Sequence, residues 1–280
     1  MSETTLTFDY CDKLVSDFEE VVKQPITGRS STYYAGVDLG TACVVVAVLD
    51  ENLKPVAGAY RYVDVVRDGM VVDFFGAISI VREMKQELEK KLGAELIYAA
   101  AAIPPGTDAL DSGAVKNVVQ AAGFELTNLL DEPTAANEVL KIENGAIVDI
   151  GGGTTGISVL RNGKVVYVAD EPTGGTHFSL VVSGAYKIPF KDAEIYKRDD
   201  RNHKELLPVL KPVIEKVASI ITQHIKGYDV KEIFLVGGTC CLTGIENIIE
   251  KNTGIYTHKP HNPMFVTPLG IALSCREQGI

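Results

Sequence analysis

The chain has 280 residues, enough for one large domain or two modest ones. It carries 27 Lys and Arg against 37 Asp and Glu, a net charge of −10, which argues against a general nucleic-acid or anionic-membrane surface while leaving room for a local phosphate pocket built from backbone amides. The five cysteines (Cys11, Cys43, Cys240, Cys241, Cys275) lack CxxC or zinc spacing and fit reduced thiols in a cytosolic protein, the polar start shows no secretory or transit signal, and no apolar run approaches a membrane span.

Residues 1–32 stand apart from the rest of the chain. Tyr10, Leu14, Phe18, Val21 and Val22 fall at helical spacing, and Pro25 to Thr32 reads as a linker. An amphipathic stripe usually faces a core, so docking of this helix on the parent domain is favoured over a partner-binding role. Tyr33 to Val37 is the first strand, followed by a turn at Asp38-Leu39-Gly40-Thr41 and a second strand, Val44 to Leu49. Asp50-Glu51-Asn52 turns into Pro55 to Val66, which has strong β character. Asp68-Gly69 makes another turn before Met70 to Asp73. Ala77 to Leu92 has helical periodicity with Gly93 as its stop. Leu96 to Ile103 is a buried strand ending at Pro104-Pro105-Gly106, Asp111 to Ala122 is a helix closed by Gly123, and Glu125 to Leu130 is a strand delivering Asp131-Glu132-Pro133-Thr134. Thr134 to Lys141 is predicted to be the helix that crosses to a second half.

Gly145 to Val148 reads as a short buried strand with Asp149 where it ends. Gly151, Gly152, Gly153, Thr154 and Thr155 then turn into Gly156 to Leu160. Glycine lets successive N–H groups bend toward one point and lets a ligand approach the backbone, and such a nest suits an anion, commonly phosphate. A carboxylate beside a phosphate repels it unless a cation such as Mg²⁺ stands between them. Taken alone, this stretch fits a tight hairpin with a capping Asp equally well. The earlier Val37-Asp38-Leu39-Gly40-Thr41 has the same order of apolar strand, Asp, Gly and Thr. Two such copies point to an internal duplication, in which each half gives one phosphate-binding turn to a cleft.

Asn162-Gly163 is a hairpin signal. Thr173-Gly174-Gly175-Thr176 precedes a helix from Phe178 to Tyr186, and amides at a helix N-terminus form a ready anion site. Phe190 to Arg198 is a further helix. Leu206 to Ile225 reads as the next helix, best begun near its early Pro208 and Pro212. Glu232 to Val236 is a buried strand running into Gly237-Gly238-Thr239, where a flat ring or ribose can approach the backbone. His258 and His261 lie near Pro260 and Pro263 in a loop and make poor metal ligands. Thr267-Pro268 reads as an N-cap with Pro at the first helical position, and Leu269-Gly270-Ile271-Ala272 offers small residues for close helix packing.

Five ordered segments together carry a family resemblance: Val37-Asp38-Leu39-Gly40-Thr41, Asp131-Glu132-Pro133-Thr134-Ala135-Ala136, Val148-Asp149-Ile150-Gly151-Gly152-Gly153-Thr154, Phe234-Leu235-Val236-Gly237-Gly238-Thr239 and Pro268-Leu269-Gly270-Ile271-Ala272. They resemble the phosphate-1, connect-1, phosphate-2, adenosine and connect-2 motifs of the actin, DnaK-type chaperone and sugar kinase superfamily. Ala102-Ile103-Pro104-Pro105-Gly106-Thr107 and Asp68-Gly69-Met70-Val71-Val72-Asp73 look like the bacterial actin and FtsA/PilM branch. Asp64-Val65-Val66-Arg67-Asp68-Gly69 and Asp73-Phe74-Phe75-Gly76-Ala77 resemble the chaperone-like proteins encoded with the ethanolamine-utilisation microcompartment genes.

The resemblance implies an α/β fold of two RNase H-like, actin-like ATPase halves around a nucleotide cleft, with peripheral subdomains reduced or missing. The first half would comprise residues 33–143 plus 263–280, and the second 144–262. It implies ATP and Mg²⁺, the metal held mainly through water. Gly40 and Thr41 would bind the β/γ-phosphates, and Gly151, Gly152, Gly153 and Thr154 the γ-phosphate side. Asp38 and Asp149 would position the hydrated metal. Glu132 or Asp149 would orient or deprotonate the attacking water. Gly174 and Gly175 would add amides, and Gly237 and Gly238 would face the adenosine. Only 61 residues separate Gly175 from Gly237, an interval that in chaperones and bacterial actins also holds a whole adenine-clamping subdomain. Met264 stands near where chaperones carry an acid, and their catalytic lysine has no match. Phosphate contacts therefore look intact and adenosine contacts stripped.

The first expectation is a nucleotide-dependent switch acting on a protein client or microcompartment component, cytoplasmic or microcompartment-associated, with weak turnover. The second is a non-hydrolysing nucleotide-binding scaffold of the FtsA/PilM kind. A small-molecule kinase ranks last. Neither nucleic acid nor a membrane span is expected.

Overall fold

The computed structural model describes residues 3–28, 30–67, 69–107 and 109–276. The chain divides into two compact units, Met1–Lys141 with Phe265–Ile280, and Ile142–Met264.

The first unit is built on a five-stranded sheet of β1 (Tyr34–Leu39), β2 (Cys43–Leu49), β3 (Pro55–Tyr62), β6 (Tyr98–Ile103) and β7 (Glu125–Asp131), in the order β3-β2-β1-β6-β7. The first three strands form an antiparallel meander, while β6 and β7 run parallel to β1. Parallel neighbours need crossover helices, and these are α2 (Phe74–Leu92) and α3 (Ala109–Ala121). The α2 stripe of Ala77, Ile78, Val81, Met84, Leu88 and Leu92 is buried. Asp73 caps its start by accepting from Gly76 N–H at 2.9 Å, and Gly93 closes it at φ 68. Between β3 and α2 lies a small hairpin, β4 (Val66–Arg67) with β5 (Met70–Val71). Strand character therefore stops at Tyr62 and resumes at Val66, where a continuous run to Val66 was expected. Gly69 takes φ 77 as a turn requires, and Asp68 lies outside the described residues.

The N-terminal helix α1 (Glu3–Lys23) lies on β3, burying Cys11, Leu14, Val15, Phe18 and Val21. Gly58 permits this approach, since a Cβ there would sit 2.4 Å from the Phe18 ring. Two further helices, α4 (Glu132–Leu140) and α9 (Val266–Ser274), pack against each other. A Cβ on Gly270 would lie 1.7 Å from Ala135 O, and one on Gly36 would lie 2.5 Å from Pro268 O. The small residues of the last motif thus let α9 lie directly on α4 and β1. Helix α9 begins at Val266, so Pro268 falls inside its first turn and not at its first position.

The second unit repeats the plan. Its sheet has the order β10-β9-β8-β11-β12, with β8 (Gly145–Ile150), β9 (Thr155–Arg161), β10 (Lys164–Glu171), β11 (Glu232–Val236) and β12 (Tyr256–His258). Strands β8 to β10 are an antiparallel meander, and β11 and β12 run parallel to β8. Asn162 and Gly163 both take positive φ, 52 and 71, as a tight hairpin turn demands. The helices are α5 (Gly175–Tyr186), α6 (Phe190–Arg198), α7 (His203–Ile225) and α8 (Ile245–Thr253). Helix α7 starts five residues before Pro208 and carries both prolines inside it, contrary to the sequence-based start. Burial of Leu206, Leu210, Val213, Ile214, Val217 and Ile221 along one face offsets the lost backbone bonds. The identical strand order of the two sheets makes the duplication visible in the topology.

Candidate functional site

In the first unit, Asp38 is the penultimate residue of β1, half-buried, and Gly40 and Thr41 form the turn into β2. A Cβ on Gly40 would lie 2.8 Å from Cys43 O, so only glycine allows this tight return. Because β1, β6 and β7 are parallel, their carboxyl ends share one sheet edge, the usual location of ligands in open α/β sheets. Val37 is level with Ala101, and Ile103 with Asp131. Asp38 and Asp131 therefore stand about two strand spacings apart, roughly 10 Å. Asp131 is committed to α4 as its N-cap, with Oδ1 accepting from Thr134 N–H and Oδ2 from Thr134 Oγ1, both at 2.9 Å. That cap leaves Glu132, half-buried, as the first helical residue at the same edge. The packing of α9 on α4 holds this helix end in place.

In the second unit, three glycine-bearing segments converge on one strand end. Asp149 lies on β8 directly beside Val236 of β11. Past Ile150, the turn Gly151-Gly152-Gly153-Thr154 closes with Gly151 N–H donating to Thr154 O at 3.0 Å. The start of α5 lies against this turn: Gly175 N–H donates to Gly151 O at 2.9 Å and Thr176 N–H to Gly152 O at 2.8 Å. A Cβ on Gly174 would fall 2.6 Å from Gly153 C. The third segment comes after β11. Gly237 has φ 91 and ψ 156, and a Cβ there would sit 2.2 Å from Asp149 Oδ1 and 2.7 Å from Ile150 O. Thr239 Oγ1 donates to Gly151 O at 2.8 Å, joining this loop to the turn. Every glycine and threonine predicted on this half, Gly151, Gly152, Gly153, Thr154, Gly174, Gly175, Gly237 and Gly238, belongs to the three segments, and Asp149 lies on the strand end they meet. The Asp149 charge is felt beneath them: the Cys240 thiol is held well above its usual pKa by burial first and by that carboxylate second.

Four residues in this frame escape sequence reasoning. Lys197, nearly buried on α6, donates from Nζ to Gly175 O at 2.8 Å and to Glu194 Oε1 at 2.9 Å. Burial lowers its pKa, opposed by Glu194. Ser179 Oγ donates to the same Glu194 oxygen. His203 fixes the other end. Its Nδ1 accepts from Thr243 N–H at 3.1 Å, so Nε2 carries the hydrogen and donates to Lys197 O at 3.1 Å. A closed chain of hydrogen bonds thus runs through Gly151, Gly175, Lys197 and His203 to the loop that holds Thr239 and Thr243. In the sequence, Glu194 and Lys197 are one more i, i+3 charge pair on a short polar helix, indistinguishable from a solvated face. His177, in the first turn of α5, has a buried Nδ1 with no hydrogen-bond partner among the described residues.

No group of three or more His, Cys, Asp or Glu side chains placed to hold a metal ion occurs among the described residues. No helix among them is long and apolar enough to cross a membrane.

This arrangement has relatives among known proteins. The profile of the type IV pilus assembly protein PilM matches residues 132–266, and that of the MreB/Mbl protein matches residues 56–186. The ethanolamine utilization protein EutJ of Salmonella typhimurium is 47% identical over 244 residues, covering 87% of this chain and 86% of its own. The crystal structure of EutJ from Carboxydothermus hydrogenoformans superposes with a TM-score of 0.89 at 47% identity, covering 97% of this chain and 99% of that one. MreB5 of Spiroplasma citri, solved bound to ADP, superposes with a TM-score of 0.68 at 18% identity over 87% of this chain and 96% of its own, a likeness of fold.

Proposed function

Because the chain belongs to the EutJ family of ethanolamine utilisation proteins, we propose that it is an ATP-binding, chaperone-like or reactivating-factor-like switch with weak ATPase activity, working in the cytoplasm beside or within a microcompartment. The observation that carries this reading is the convergence of three glycine segments on Asp149. At Gly174 and Gly237 the backbone sits where no Cβ fits, and Asp149 stands at the centre. The atoms in the way are the chain's own, Gly153 C at Gly174 and Asp149 Oδ1 and Ile150 O at Gly237, so these glycines gather the three segments around the strand end, and a glycine-rich turn gathered there supports a place for phosphate. The ADP seen with an MreB of the same fold supports it further.

The donor set suits Mg²⁺ and a nucleotide. Mg²⁺ keeps most of its waters and takes phosphate oxygens, so it asks for few carboxylates, and each unit carries an Asp near the end of its first strand. Asp38 and Asp149 would hold it through water, and when bound it would neutralise phosphate charge. Gly40 and Thr41 bind the β/γ-phosphates in this scheme. Gly151 to Thr154 would hold the γ-phosphate side and Gly237 and Gly238 would face the adenosine; of the expected Gly174 and Gly175 amides, that of Gly175 is already given to Gly151 O. Glu132 or Asp149 would orient or deprotonate the attacking water. The client is a protein of the microcompartment system, and ATP binding changes which surface meets it.

The test is phosphate release under saturating Mg-ATP. Slow turnover that falls at least about tenfold in Glu132→Gln, with nucleotide binding retained, is the expected result. A second reading has its own observation: the PilM profile spans 132–266, which contains all of the second unit's candidate residues. Tight binding without measurable turnover would favour that scaffold role.

A further inference from the structure

We propose that Asp170 is a further residue of the cation site: with Asp149 it brackets a slot over Gly156 that holds a hydrated divalent cation through its waters. The identity of the ion rests on the Mg-ATP reading above. The slot lies on the face of the second sheet turned away from α5 and α7. Val148 and Ile150 of β8 and Ile157 and Val159 of β9 face those helices, so Asp149, Gly156 and Ser158 alternate to the other side. Gly156 is level with Asp149 on one neighbouring strand and with Asp170 of β10 on the other. Asp170 therefore shares that face, while Glu171 after it turns the other way and meets His224 of α7 at 2.8 Å.

Gly156 sets this position apart. A glycine within a strand weakens it, and it usually marks a bulge, a tight bend or the close approach of a ligand or another backbone. The ladder with β8 runs without a shift, and the bulge of β10 lies further along, between Val165 and Tyr167. Gly156 does not take a positive φ either. Packing does not demand it: where a Cβ would clash at Gly174 and Gly237, at Gly156 its nearest atoms would be Asp149 Cβ and Asp170 Oδ1, each 3.9 Å away. The missing methyl leaves open space between two acids. Ser158, the next residue of β9 on this face, is fully buried, and its hydroxyl has no hydrogen-bond partner among the described residues. Its level neighbours are Ile147 and Val168, and the pair beyond is Leu160 with Gly145. Within the sheet the polar side of Ser158 is the slot, and a buried hydroxyl of this kind calls for a water there.

Two carboxylates facing one gap repel each other unless a cation stands between them. The spacing decides how that cation is held. Two strand spacings separate the Asp149 and Asp170 Cα atoms by roughly 10 Å. Direct ligation by both acids would draw their oxygens to within about 4 Å of each other. The 3.9 Å stand-off of each acid from the empty Cβ position of Gly156 opposes that. A Mg²⁺ with its waters spans more. A water at about 2.1 Å and a hydrogen bond of about 2.7 Å beyond it, on either side, bridge carboxylate oxygens roughly 8–9 Å apart. The pair therefore fits an ion held through water, and one of those waters gives the Ser158 hydroxyl its partner.

The experiment is a titration of the nucleotide-free full chain with Mn²⁺, read by electron paramagnetic resonance, beside calorimetry of the same samples with Mg-ATP. A single Mn²⁺ per chain, displaced by Mg²⁺, is expected. Asp170→Asn keeps the shape and removes the charge. Gly156→Ala keeps both charges and fills the slot with a methyl group that meets only ordinary contacts. Each is expected to weaken Mn²⁺ binding at least about tenfold, as loss of a water-mediated partner of a metal does. Circular dichroism and melting confirm that both variants fold. Mn²⁺ binding that either variant leaves unchanged, with Mg-ATP still bound, would overturn the role of Asp170 and leave the nucleotide reading standing. Mn²⁺ binding that both variants weaken, in a chain that gives no heat with Mg-ATP, would uphold the slot and sink the nucleotide reading. A chain that takes up no Mn²⁺ would overturn the proposal.

Discussion

Gly237→Ala should be among the most damaging single-methyl changes in the second unit. Its φ of 91 and ψ of 156 place it in a region open almost only to glycine, at a cost of about 1–3 kcal/mol for any other residue. The added Cβ would also stand 2.2 Å from Asp149 Oδ1, 2.7 Å from Ile150 O and 2.8 Å from Ile150 C. Two of these are backbone atoms of a central strand, so overpacking adds about 1–3 kcal/mol more. The total is about 2–6 kcal/mol, a fall in Tm of roughly 4–24 °C for a chain of this size. Gly254→Ala is the control. Gly254 also has positive φ, 72, but a Cβ there meets nothing within 4 Å. It should cost only about 1 kcal/mol. Urea unfolding of both variants, with matched slopes, isolates the contact of the loop after β11 with Asp149. Equal losses in the two would refute the close approach of Gly237 to that carboxylate.

Other changes test the supporting frame. Gly270→Ala drives a Cβ to 1.7 Å from Ala135 O, both on helix backbones, and should leave little soluble folded protein where Gly113→Ala, in open space, expresses normally. Lys197→Ala strands Glu194 in a largely buried position and should cost about 3 kcal/mol by chemical unfolding, whereas Lys197→Met with Glu194→Leu should recover much of it. Burial holds His203 below its usual pKa of 6.5, so the unfolded chain binds that proton more readily. Stability from this group is present above about pH 6.5 and lost as pH falls below it, a slope that His203→Gln should flatten in unfolding curves between about pH 5 and 7. Glu51 is held down at about 2 by hydrogen bonds from Ser30 and Ser31. Its contribution is present above the ordinary value of 4.5 and lost toward pH 2, so Glu51→Gln should change only the acid limb.

The sequence made the duplicated strand, Asp and glycine turn legible because glycine and aspartate have few other reasons to recur in that order. Asn162-Gly163 and the Gly93 stop were equally readable, each being local chemistry that a short window contains. The start of α7 was not, because Pro208 and Pro212 argue locally for a later start and only the buried face, formed by tertiary packing, overrides them. Nor was the Lys197 to His203 chain, whose partners Gly175, Glu194 and Thr243 span 68 positions from first to last and come together only once the sheet has formed.

The second unit's glycine segments and Asp149 are proposed to belong to a working Mg-ATP site. Calorimetric titration of the full chain with Mg-ATP, in the wild type and in Asp149→Asn, tests it most directly. Micromolar binding that the substitution abolishes is the predicted result, and at free ATP about 100-fold above Kd it should add ~2.7 kcal/mol of stability. No detectable heat at millimolar ATP, or binding that Asp149→Asn leaves intact, would contradict it.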